Sequence, residues 1–193
     1  MEKLFDNKEH INISLENIVL EYTLSNEAIK NENLKPVYIV FTNTKTRFSK
    51  ISKLFTGSTL NHVSMGFSEL FDELYTFDAA NGGFHIEKYD EMKGALYSQY
   101  LINIPEDAYA LIKDKIKDYD TNRKNTSYNW AGLLNAVTGK HIIKDSDPER
   151  MFCSQFVASL FEDVGIKLTK LPINMVKPHE LINRKLLTFV KRG

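Results

Sequence analysis

The chain is short of several things, and each shortage narrows what it can be. It has one cysteine in 193 residues, Cys153, which excludes an internal disulfide and a cysteine-based zinc site. It has no net charge: 25 basic side chains balance 25 acidic ones. That leaves no electrostatic footprint for nucleic acid or an anionic membrane surface. Lysine-rich stretches such as IKDKIKDYD (112–120) are interleaved with acids and read as solvated helix faces. No run approaches the ~20 apolar residues that span a bilayer. The first twenty residues, MEKLFDNKEHINISLENIVL, lack a basic segment leading into an apolar one. Together these absences predict a reduced, soluble, cytoplasmic protein with no membrane segment.

What is present is ordinary globular material, 42% hydrophobic and 26% charged, enough for one substantial core. Residues 1–35 are polar and rich in Asn, Glu and Lys. They read as an N-terminal extension that packs on the core, with Pro36 marking the boundary. From there, residues 36–193 form the predicted domain. VYIVFT (37–42) has the β-branched and aromatic content of a buried strand, and RFSKISKLF (47–55) has helical spacing ended by Gly57. NHVSMGF (61–67) alternates, with His62, Ser64 and Gly66 on one face. ELYTFDAA (73–80) alternates too, NGG (81–83) turns the chain, and FHIEKY (84–89) and LYSQYLINI (96–104) read as further strands. Pro105-Glu106-Asp107 starts a helix, and YNWAGLLNAVTG (128–139) makes an apolar one closed by Gly139. The Cys153 helix follows, then a proline-punctuated loop, a short helix near HELIN and a last strand, KLLTFV. A block of strands followed mostly by helices predicts an α+β fold, an antiparallel sheet packed against helices.

The chemistry turns on MFCSQFVASLFEDVG (151–165). Phe152, Phe156, Val157, Leu160 and Phe161 fall on a helical period, and Cys153 stands at or near the helix start. A small, soft side chain there fills a core. A thiol there also gains from free backbone N–H groups, which favour a thiolate and can receive an oxyanion. Such a nucleophile needs a histidine for proton transfer and a polar group to orient it. His10, His141 and His179 have surface readings, and His85 is a second candidate. His62 is the most suggestive, because small residues share its face. Thr76 and Asp78 share a face one strand later. Asp147-Pro148 offers a cap that would push Cys153 into the second turn. Spacing alone leaves filler and nucleophile both open.

The order of the blocks FTNTKTRFSKISKLFTGSTLNHVSMGF, ELYTFDAANGGFHIE and FCSQFVASLFEDVGI resembles the circularly permuted branch of the NlpC-type papain-like cysteine hydrolases. The resemblance covers about residues 36–193. It implies a permuted papain-like fold with Cys153 as nucleophile at a helix N-terminus, and His62 as general base and acid. The third position aligns with Asp78, or with Thr76 after a shift of two. Asp78 is preferred because a carboxylate both orients an imidazole and stabilises its charged form. The Cys153 backbone N–H would be one oxyanion donor. Tyr128 is weighed as a second donor against a plain packing role, and Ser154 reads as a first-turn polar residue. The expected activity is hydrolysis of an amide bond, in a peptide or cell-wall-type substrate, through a thioester acyl-enzyme with no metal or cofactor. Acyl transfer on lipid substrates and an inactive binding module are the alternatives.

Overall fold

Val37, Ile39, Val40 and Phe41 are all fully buried, which is what a near-continuous apolar run means when both faces of a strand are covered. They belong to β1 (Lys35–Asn43), the strand around which the rest is arranged. The computed structural model describes residues 33–43, 60–140 and 149–193. The extension over 1–32, the helix expected at 47–55, and residues 141–148 with His141 and Asp147-Pro148 lie outside the described residues, as does His10.

β1 pairs with β2 (His62–Gly66) on one side and β5 (Leu96–Ile104) on the other. β3 (Leu74–Asp78) and β4 (Gly83–Glu87) extend the β2 edge, and β8 (Thr188–Arg192) extends the β5 edge. The resulting sheet has six strands in the order β4-β3-β2-β1-β5-β8, each antiparallel to its neighbours. Four α-helices lie among the described residues: α1 (Tyr89–Met92), α2 (Glu106–Thr121), α3 (Trp130–Thr138) and α4 (Cys153–Glu162). A short parallel pair, β6 (Ser127–Tyr128) with β7 (Arg150–Met151), brings the starts of α3 and α4 together. The protein is α+β, with an antiparallel sheet, as the order of its elements predicts.

The local signals act where expected at several ends. Pro105 precedes α2 with acids in its first turn. Gly139 closes α3 with φ of 68°, a left-handed cap that favours glycine. The last strand differs: it begins at Thr188, because Arg184–Leu186 form a turn and Leu187 goes into the core.

α4 departs from a simple amphipathic helix. Every residue from Cys153 to Phe161 is buried, so the helix is surrounded and its polar groups need partners. Ser154 Oγ donates to the Val176 carbonyl at 2.7 Å, and Ser159 Oγ to that of Phe156 at 2.8 Å. Phe156 joins Phe77, Phe84 and Tyr119 in an aromatic cluster with centroids 5.2–6.1 Å apart, tying α4 to β3, β4 and α2. Such rings dominate core energetics, and removal of a buried one costs about 3–5 kcal/mol. One turn from Cys153, this anchor fixes the helix start against the sheet.

Gly83 shows how closely the β6 segment approaches. A Cβ there would stand 2.6 Å from Thr126 Oγ1 and 2.9 Å from the Thr126 carbonyl oxygen. Thr126 Oγ1 itself accepts from Phe84 N at 3.0 Å. Gly83→Ala should therefore lower stability by about 1–3 kcal/mol, read as the shift in a urea unfolding midpoint. A midpoint unchanged from the native protein would show that the contact relaxes freely.

Candidate functional site

Cys153 is the first helical residue of α4, and the extended Phe152 is its N-cap. β7 ends one residue before that cap, so the helix starts there and the cysteine lies in its first turn, not its second. Its backbone N–H is among those a helix leaves without an internal partner. The side chain is buried and free of any disulfide.

His62 opens β2, close enough to Cys153 for the cysteine to help raise its pKa. Nε2 of His62 lies 2.9 Å from Oε1 of Glu87. Ser64 Oγ donates to Glu87 Oε2 and stands 3.3 Å from the same ring nitrogen. A largely buried imidazole thus meets a carboxylate held by a buried hydroxyl, with Cys153 nearby.

The carboxylate that meets His62 is that of Glu87, not the expected Asp78. Asp78 Oδ1 accepts from Ala80 N at 2.9 Å, and Oδ2 from Asn81 Nδ2 at 2.6 Å, so both oxygens organise the turn before β4. Thr76 is not the orienting group either, since its Oγ1 donates to the Val63 carbonyl at 2.9 Å. Glu87 is opposite Leu74 in the ladder, whereas Asp78 is opposite Gly83. The His62–Glu87 contact therefore runs diagonally across three strands. Strand order misses it because the side chains that meet are not on residues paired in the ladder. The signal in the sequence was slight: a lone acid in the apolar strand FHIE. Of the other histidines described, His85 pairs with Glu91 at 3.0 Å near the surface, and His179 lies in a one-turn 3-10 helix, Pro178–Leu181.

The charges are strongly coupled. Burial alone would lower the His62 pKa, but the Glu87 charge, the hydrogen bond the ring donates to Glu87 and the neighbouring Cys153 outweigh it, raising it well above the usual imidazole range. For Glu87, burial pushes upward, yet the charge and hydrogen bond of His62, with help from Ser64, leave it lowered. Both side chains are only 12% accessible. A raised histidine contributes stability fully below its unfolded value of about 6.5 and loses it as pH climbs through the folded value. A lowered carboxylate contributes fully above its unfolded value of about 4.3 and loses it as pH falls through the folded value. The stability gap between the native protein and Glu87→Gln should then be widest between about pH 4.5 and 6.5 and narrow on both sides. Urea unfolding from pH 3 to pH 9 measures it, and a gap independent of pH would contradict the assignment.

Tyr128, on β6, pairs with Met151 just before the start of α4. Burial first, then the charges of Cys153 and Asp78, raise its pKa well above the ordinary phenol value, so its hydroxyl remains a donor. Asn129, the N-cap of α3, clamps the two helix starts. Its backbone N–H donates to the Met151 carbonyl at 2.9 Å, its Nδ2 to Gln155 Oε1 at 3.2 Å, and its Oδ1 accepts from Gly132 N at 2.8 Å. Among the described residues, no group of three His, Cys, Asp or Glu side chains could hold a metal ion. No described helix is long and apolar enough to cross a membrane.

Fold and site together define an α+β protein with a buried Cys-His-Glu constellation at the start of a central helix. No family model, curated protein or solved structure matches the chain.

Proposed function

We propose that the protein is a cysteine hydrolase that cleaves an amide bond, in a peptide or cell-wall-type substrate, on a permuted papain-like fold. The observation that carries this is the His62 ring 2.9 Å from the Glu87 carboxylate, near the cysteine at the start of α4. The chain order, His on β2, acid on β4 and Cys on α4, is consistent with the permuted arrangement.

In the proposed cycle the Cys153 thiolate attacks the scissile carbonyl carbon, and Sγ–C forms as the carbonyl π bond becomes an oxyanion. The Cys153 backbone N–H and the Tyr128 hydroxyl are the donors assigned to that oxyanion. The His62 imidazolium gives its proton to the amine as the C–N bond breaks, leaving a thioester. Water then attacks the thioester, His62 takes its proton, and the acid departs as the thiolate–imidazolium pair is restored. Glu87 orients the ring and stabilises its charged form throughout.

Incubation with peptide anilides, muropeptides and fatty-acyl thioesters, followed by intact-mass analysis, tests the reading. We expect acylation at Cys153 with turnover of an amide. Acylation by fatty-acyl donors alone would replace amide hydrolysis with acyl transfer on lipids. No acylation by any of them, with a thiol that alkylates slowly, would leave a binding module.

A further inference from the structure

We propose that Trp130 is the wall of the subsite beside the nucleophile, and that it selects substrates whose acyl side carries an aromatic or bulky apolar group next to the scissile carbonyl. This rests on the hydrolase reading above. Trp130 is the only tryptophan in the chain and the first residue of α3. Its side is not the one that holds α3 in the fold: Gly132, Leu133, Asn135 and Ala136 are the buried residues, while Trp130 is 49% exposed. The ring packs edge-on against Tyr128, with centroids 5.0 Å apart and planes at 62°. Tyr128 in turn pairs with Met151, two residues before Cys153.

The placement is rigid. Tyr128 pairs with Met151 across β6 and β7, and Asn129 bonds Met151 and Gln155 on the segment that carries Cys153. These bonds hold the backbone that carries Trp130 beside the start of α4. Leu134, one turn further along α3 and 36% exposed, continues the apolar strip. A half-exposed indole fixed beside a nucleophile offers a flat apolar surface at low entropic cost. The acyl group stays tethered to Sγ through the second half of the cycle, so a wall anchored to the start of α4 bears on that group rather than on the departing amine.

The test compares second-order rates of Cys153 alkylation by N-acetyl-phenylalanyl and N-acetyl-glycyl chloromethyl ketones, on the full chain. Covering the exposed part of the indole should favour the phenylalanyl reagent about 10-fold. Trp130→Ala should abolish that preference and Trp130→Phe should keep most of it, with the iodoacetamide rate unchanged in both. Equal rates for the two reagents on the native protein, or a preference that survives Trp130→Ala, would overturn the subsite while leaving the hydrolase reading intact. Slow iodoacetamide labelling of the native protein would instead overturn the hydrolase reading, and the subsite with it.

Discussion

His62→Ala should slow alkylation of Cys153 by iodoacetamide at pH 6 by about 100-fold. Only the thiolate reacts, and a thiol without a partner is about 0.3% ionised at that pH. The proposed mechanism pairs the thiolate with an imidazolium, which enlarges the reactive population, and loss of the ring removes that pairing. The raised pKa of His62 places its charged form well within the range of the assay. Stopped-flow labelling with intact-mass readout measures the ratio, and circular dichroism shows whether the variant folds. His62→Gln supplies a second variant that retains some of the packing. If native protein and both variants label at the same slow rate, Cys153 is a core filler and the catalytic proposal fails.

Glu87→Gln is the second large effect, and Asp78→Asn is its control. Glu87 is the partner of a buried imidazole, and breaking a buried charge pair costs about 3–5 kcal/mol when the remaining charge cannot escape. Here His62 can shed its proton, so a loss of about 2–3 kcal/mol is expected at pH 6. Activity should fall by about 100-fold or more, because a neutral amide neither stabilises the imidazolium nor fixes the ring tautomer. Asp78→Asn should cost about 1 kcal/mol, since it weakens only the hydrogen bonds of an exposed turn. Its effect on the alkylation rate should stay within about threefold, far below that of Glu87→Gln. The reverse ranking in kcat/KM would return the orienting role to Asp78.

How much was legible follows the range of each signal. Pro105, Gly139 and the alternation of Tyr75, Thr76 and Phe77 act within a turn or a strand. They placed α2, α3 and β3 because local sterics and hydrogen bonding decide those features. Cys153 and His62 stood out for similar reasons, one at a helix start and one opening a strand beside small residues. The orienting carboxylate did not. Asp78 and Glu87 lie at opposite ends of the β3–β4 hairpin, and a ladder drawn flat favours the nearer strand. The full burial of α4 was also hidden, because Ser154, Gln155 and Ser159 look like a solvated face until Val176, Asn129 and Phe156 supply their partners.

The sequence by itself determined an α+β chain of neutral charge and a helix beginning near its lone cysteine. Those are consequences of periodicity, turn chemistry and composition, which act over a few residues. Tertiary structure decided which acid meets His62, that Asn129 clamps two helix starts, and that Trp130 stays half in solvent beside Tyr128. The sheet and the docking of α4 bring together residues 25 and 26 apart along the chain, and no local pattern records which distant partners will meet.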